Sequence, residues 1–560
     1  MKKKIKGKGI LILIVMIIMA SLAGCASTDT SSDSVMTLAQ TAEQAKLEEI
    51  SVSKLMEEDL AVDAFEEMDM ALLEEALEKV DTELNLASWK DEGEILGFDD
   101  KITWIQSAGT YILQGTYEGQ ILVDTQDEGD VILVFNEVAL SNQETSPIFI
   151  SNADRLVILL AEGTENSLVD TSAYEEENDS EEERVNGAIY TKSDLLFAGS
   201  GNLTITAKEK TGILAKDALL VLDGDIIIEA SRNGIKVNDL FAMVDGDLSI
   251  HAGKDGIQSE AHMQIDGGHV TIDSVEDALH AEGMIVINDG FFYLQTEDDG
   301  IRADAYLEVN GGNITIPVCY EGLESLVIVI NDGVIDISAS DDGINVADTS
   351  VSAEKTMGPG DEIPIEGAGL VINGGQITIS SDGDSIDSNG SGLIRGGILL
   401  IDGPGNGGDV GLDFDNPLLV EGGLIISVGN DGASKSFSEA ASQNVLQVFF
   451  NGVQAAGSQV TVVDEDGQVL MSHTSIKTYG VLVFSSADLQ QGQTVTVQVD
   501  GEVVEDAVIS DTMTIVGTSL VGEGPGAGNH PGGGMNDKMA PPNGDRPEGN
   551  RFEGERPDSN

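Results

Sequence analysis

A 22-residue period constrains this chain more than any other feature of its sequence. Thr211, Asn233, Asp255, Asp277, Asp299 and Glu321 stand 22 residues apart, Asp342 follows after 21, and Asp384 falls 42 later, across an insertion at 349–367. A second marker keeps pace, with "DGD" at 223 and 245, "DGG" at 266, "NDG" at 288, "NGG" at 310, "NDG" at 331 and "NGG" at 373. A period of this length, filled with short apolar runs and glycine turns, belongs to a solenoid in which each coil covers the apolar face of the next.

One coil reads as three strands. In "TEDDGIRADAYLEVNGGNITI" (296–316) they fall at 301–303, 307–309 and 314–316, and period-two alternation points Ile301, Ala303, Leu307, Val309, Ile314 and Ile316 inward. Asn-Gly, Asp-Gly and Gly-Gly pairs permit positive φ at the corners. The expected fold is all-β, a right-handed parallel β-helix over 100–432. No helical segment fits within a coil, which disfavours a leucine-rich horseshoe, and propeller blades need roughly 40 residues.

The flanks differ in pattern. Lys2, Lys3, Lys4, Lys6 and Lys8 precede an apolar run at 10–20, too short to span a bilayer, so 1–24 reads as an export signal. It ends in Leu22-Ala23-Gly24-Cys25, a lipobox pattern that makes Cys25 the lipidated residue and anchors the protein to the outer face of a bacterial membrane. Residues 25–35 read as a tether. Leu60, Ala61, Phe65, Met68 and Leu72 are spaced by three and four among acids, which predicts amphipathic helices over 36–95, packed on the end of the main domain. After 432 the repeat stops, and "NVLQVFFNG", "GVLVFSS" and "QTVTVQVDG" predict a small β module over 440–518 that caps the solenoid. The Gly- and Pro-rich 522–560 reads as a disordered tail. Only Cys25 and Cys319 are available, so no disulfide framework is expected.

Charge narrows the partners. Of 28 basic residues five lie in the leader, which leaves 23 against 99 acids and a formal charge of −76. Nucleic acid is excluded as a partner, and the acids serve solubility or cation binding according to whether they cluster. Stacked coils lie about 4.8 Å apart, so Asp255, Asp277, Asp299, Glu321 and Asp342 form a ladder of carboxylates. Two unit charges at that spacing repel by about 3 kcal/mol at an effective dielectric near 20. Calcium is the natural counterion, because it takes six to eight oxygens from loosely arranged carboxylates, carbonyls and water. Asp298, Asp341 and Glu276 offer further oxygens, and Glu260, Glu282 and Asp304 form a second column. Against this stands the preference of aspartate for the residue before a turn glycine.

Two surfaces are candidates for sugar. Lys236, Gln258, His280 and Arg302 alternate outward on the strand after each Asp-Gly, a polar strip suited to hydroxyls or a uronate carboxylate. Phe291 and Tyr293 point outward on another strand, beside His269, Thr271, Asn313 and Thr315, and an exposed aromatic pair stacks on a pyranose face.

The run "GTYILQGTYEGQILVD" (109–124), the phrases "GTENSLVD" (163–170) and "GAIYTKSDLLFAGSGNLTI" (187–205), and the successive "DGI" coils together resemble the bacterial carbohydrate-binding domain-containing lipoproteins. The resemblance covers roughly 100–500. It implies a right-handed parallel β-helix related to pectate-type polysaccharide lyases, binding to cellulose and acidic sugar polymers, and bound calcium, with Asp255, Asp277, Asp299 and Asp342 as ligands. Thr211 and Asn233 depart from that pattern at the head of the ladder.

The resulting expectation is a non-catalytic, calcium-dependent binder of a polyuronate or a cellulose-like polysaccharide at the cell surface. One alternative is a calcium-assisted polyuronate lyase with Lys236 or Arg302 as base, although an acidic surround opposes the depressed pKa that a base requires. The other is a structural adhesin that uses the 36–95 helices and the tail for protein contacts.

Overall fold

The computed structural model describes residue 89 and residues 93–98, 101–173, 185–348, 367–405, 408–430, 437, 441–510 and 512–518. The leader, Cys25, the tether, nearly all of the 36–95 segment, most of the 349–367 insertion and the tail lie outside the described residues. The described chain is a β-solenoid of about 13 turns. Its coils stack through parallel pairing in three continuous sheets.

Each coil contributes one strand to each sheet. The coil read first is typical in its register, with Ile301 of Ile301–Val309 beside Leu279 of the coil before and Leu323 of the coil after. Ile301, Ala303, Leu307, Val309, Ile314 and Ile316 are all buried in the shared core. The first and second strands of this coil run together, whereas the sequence separates them. The next coil explains the 21-residue step. There Leu326 alone connects the two strands where Asp304 and Ala305 do so in the preceding coil, and the register shifts at that point.

Two kinds of glycine shape the corners. Gly333, in the second marker, has φ 116°, open to glycine at little cost. Gly322, after the acidic ladder, is there for space, since a Cβ would sit 2.3 Å from the Gly343 carbonyl oxygen and 2.5 Å from Ile337 Cγ2. Beside the second-marker glycines runs a ladder of amides. Asn310 Nδ2 donates to Asn288 Oδ1 at 2.9 Å, Asn331 Nδ2 to Asn310 Oδ1 at 2.7 Å, and Asn373 Nδ2 to Asn331 Oδ1 at 2.7 Å.

Two flanking details follow. Glu94–Ile95, at the end of the stretch expected to be helical, is instead a strand that pairs parallel with Tyr111 and Ile112, because it opens the first coil. At the other end Leu424–Gly429 pairs antiparallel with Tyr479–Ser485, and a four-stranded sheet formed within 459–508 lies beyond it. Outward Leu400, Leu424 and Ile426 of the third sheet pack against these C-terminal strands. His473 Nε2 meets Asp402 Oδ1 at 2.9 Å in the same contact.

Candidate functional site

The acids lie at the corner where the third strand of one coil turns into the first strand of the next. Backbone hydrogen bonds hold that corner in register. The amides of Gly256, Ala278, Gly300, Gly322 and Gly343 donate to the carbonyls of Asp277, Asp299, Glu321, Asp342 and Asp384 at 2.9–3.0 Å. One acid therefore stacks on the next because parallel coils repeat the same corner. Asp255, Asp277 and Asp299 are 3–5% exposed.

The side chains converge further. Ligand oxygens or nitrogens of Asp255, Asp277 and His280, of Asp277, Asp298 and Asp299, and of Asp299, Glu321 and Glu324 each fall within 4.8 Å of one another. The Asp299 amide donates to Asp277 Oδ1 at 3.1 Å and the Glu321 amide to Asp299 Oδ1 at 3.3 Å. At the head of the column Asn233 Nδ2 donates to Asp255 Oδ2 at 2.7 Å and to Gln258 Oε1 at 3.0 Å, so an amide caps the acids. The two all-carboxylate groups offer hard oxygen donors, which suit calcium, with water or carbonyls completing its shell. Asp341 and Asp342, expected among the ligands, belong to none of these three groups.

Burial sets the protonation of this column. It pushes the Asp277 carboxyl up to about 7, with Asp255 and Asp298 adding repulsion and His280 opposing it. Burial, then Glu321 and Asp277, hold Asp299 well above the usual carboxylate range. Further along, burial followed by the charges of Asp387 and Asp384 takes Asp342 to about 10. Asp384 is taken to about 8, chiefly by burial. Without a counterion these groups are pushed toward their protonated forms, and a bound cation would compete with those protons.

The strip beside the ladder faces outward but is half-buried and committed to neighbours. Lys236 Nζ lies 2.9 Å from Glu260 Oε1, and His280 Nδ1 lies 3.5 Å from Asp277 Oδ2. Arg302 Nε lies 3.4 Å from both Asp304 Oδ1 and Glu324 Oε2, and its Nη1 is 3.9 Å from Asp299 Oδ2. These cations balance the column. Glu324 and His280 were not read from the sequence as members of a metal-type cluster. The signal was their place three residues after Glu321 and Asp277, one outward position into the adjoining strand.

The aromatic pair stands elsewhere, on the open face of the third sheet. Phe291 is 54% and Tyr293 48% exposed, and the His269 ring stacks on Phe291 at 5.0 Å with 13° between planes. Thr271 and Thr315 flank Tyr293 in register.

A carbohydrate-binding domain-containing protein of Acetivibrio thermocellus is 35% identical over 136 residues, which are 24% of this chain and 47% of the relative. The chain thus spans about half the length of that curated relative. The solved structure of the polysaccharide lyase-like protein from C. thermocellum, a gadolinium derivative, is 30% identical, with 40% of this chain and 87% of that one covered at a TM-score of 0.32. Residues 99–343, 262–408 and 298–490 match the profile of one family, together more than half of the sequence, and the chain belongs to the carbohydrate-binding domain-containing protein family.

Proposed function

We propose that this protein is a non-catalytic polysaccharide-binding protein that carries calcium in its corner column and is held at the outer face of the cell by acylated Cys25. The observation that carries the reading is the convergence of Asp277, Asp298, Asp299, Glu321 and Glu324 into two overlapping all-carboxylate groups. Because Asp277 and Asp299 are buried, calcium there acts mainly by fixing the stack of coils, and the glycan meets the protein on another surface.

That surface is the outer face of the third sheet around His269, Phe291 and Tyr293. Aromatic faces pack on the C–H side of a pyranose, and the neighbouring Thr271, Asn313 and Thr315 supply hydrogen bonds. Its third-sheet strands between Asn202 and Asp402 contain no Lys or Arg, while Asp247, Asp273 and Asp336 are exposed among them. A polyanion is repelled there, which favours a neutral, cellulose-like chain over a polyuronate. The lyase alternative is disfavoured because Lys236 and Arg302 are both ion-paired. Burial alone would lower the Arg302 pKa, but Glu324, Asp277, Asp304 and Asp299 outweigh it and hold the group protonated.

Depletion onto insoluble β-glucan and onto polygalacturonate, each in calcium and in chelator, tests the reading. Retention on the neutral glucan is expected. The double variant Phe291→Ala, Tyr293→Ala should lose it by about tenfold, equivalent to about 1.4 kcal/mol. Undiminished retention by the variant would remove the aromatic face from the proposal, and failure of the wild type to bind any polysaccharide would refute the proposal itself.

A further inference from the structure

The first coils differ from the later ones at the corner where the second sheet turns into the third. From Asp266 onward this corner carries side chains bonded to one another along the stack, with Asn288 Nδ2 donating to Asp266 Oδ1 at 2.7 Å and Asn331 Nδ2 to Asn310 Oδ1 at 2.7 Å. In the first coils the same column holds Ile112, Val134, Leu159 and Ala198, and Leu222 and Val244 carry it on to Asp266. The four residues from Ile112 to Ala198 form a small apolar cluster with Ala161, and Trp89 packs against it.

A cavity of about 370 Å³ opens beside this cluster. Trp89, Ile95, Ile112 and Ala161 make its apolar wall, and Gln114, Asn136 and Glu162 supply its polar groups. Those three follow from the turn. Each is succeeded by a residue in the left-handed region, Gly115 at φ 84°, Glu137 at φ 61° and Gly163 at φ 73°, so successive coils bend alike and bring the polar side chains to one rim. Ile112 and Ala161 are buried, Asn136 is half-buried, and Gln114 and Glu162 are exposed. No described residue hydrogen-bonds the side chain of Gln114, Asn136 or Glu162. The later amides at this corner are spent on each other; these are not.

The lining selects its ligand by elimination. An apolar molecule would strip water from three polar side chains without replacing their hydrogen bonds. An anion would meet Glu162, and calcium, which takes six to eight oxygens, would find too few. A sugar ring satisfies every wall, because its C–H side packs on the Trp89 indole while its hydroxyls bond two amides and a carboxylate. The volume lies at the small end of ligand pockets, which run from about 300 to about 1,000 Å³. We propose that this cavity is a second carbohydrate site, which takes a short neutral saccharide of one or two pyranose rings. It rests on the reading of the chain as a saccharide binder, but on none of the residues of the third-sheet face.

Fluorescence titration of the full chain with cellobiose tests the site. Trp89 and Trp104 are its two tryptophans, so Trp104→Phe leaves the Trp89 indole as the reporter. Cellobiose should change that emission saturably, and galacturonate should not. Asn136→Ala combined with Glu162→Ala should weaken cellobiose by at least about tenfold at an unchanged unfolding midpoint, since neither side chain bonds a described residue. Phe291→Ala with Tyr293→Ala should titrate like the wild type even where retention on insoluble glucan is lost, which separates the two sites. A flat titration would overturn this site, and retention of the same chain on insoluble glucan would show that the earlier reading survives it. An unaltered titration by the Asn136→Ala, Glu162→Ala variant would also overturn it.

Discussion

Asp299→Asn separates the two roles an acid can play at a repeated corner. Asp299 belongs to two of the three convergent groups, so its replacement weakens both. A cation bound only to the folded chain stabilises it by RT ln(1 + [L]/Kd), about 2.7 kcal/mol at 100-fold excess. Unfolding on the order of 400 residues carries an entropy of about 0.8 kcal/mol/K, so one such site raises Tm by about 3 °C and two by about 6 °C. The variant should lose that increment in calcium.

In chelator the expectation differs. Burial holds Asp299 protonated in the metal-free protein, with Glu321 and Asp277 reinforcing it. An amide resembles that neutral acid in size, and its Oδ1 still accepts the Glu321 amide now bound at 3.3 Å. The metal-free Tm of the variant should therefore match the wild type within about 1 °C. Differential scanning calorimetry in excess calcium and in chelator gives all four values. Equal destabilisation of the variant under both conditions would refute the reasoning, because Asp299 would then be a turn residue and the column would hold no metal.

Two further outcomes follow from the same corner. The Asp277 carboxyl is raised to about 7, mainly by burial, from an unfolded value near 3.9; the folded chain thus binds the extra proton, and metal-free stability should fall as pH rises from about 4 to about 7. Denaturant midpoints measured in chelator should show a shallower fall for Asp277→Asn, and an identical slope would count against a buried, proton-holding column. Gly322→Ala places a Cβ against the Gly343 carbonyl and Ile337, and should destabilise by about 1–3 kcal/mol through overpacking, read as a lowered denaturant midpoint at unchanged m-value.

The coil register was legible because parallel stacking demands the same residue type at the same place in every turn. Thr211 to Asp384 could be aligned by counting, and the corner hydrogen bonds follow that count. The convergence of Glu324 and His280 on the column was not legible. Alternation assigns them outward, and only the folded corner shows that outward here means toward the acids. The ion pairs of Lys236 and Arg302 were not legible for the same reason, since Glu260 follows the strand of the neighbouring coil and Asp304 stands two residues after Arg302 on one long strand. Glu94–Ile95 was assigned to a helix since a two-residue strand has no period of its own.

The second sheet shows where period-two reasoning stops. Leu240–Met243 and Met284–Ile287 are apolar at every position, and an uninterrupted run of four says only that both faces are covered. Reading down the coils adds what reading along a strand cannot. The column through Leu220, Val286 and Val329 is mostly apolar, with Gln264 and Glu308 set into it, the column through Lys236, His280 and Arg302 is mainly charged, and the stretch through Thr271, Tyr293 and Thr315 is polar and aromatic. A solenoid presents each column as one continuous strip, so its partner is selected by the 22-residue period and not by any single strand. On that argument Tyr293→Ala should lower retention on neutral glucan and leave calcium-dependent thermal stabilisation unchanged, whereas Asp299→Asn should do the reverse.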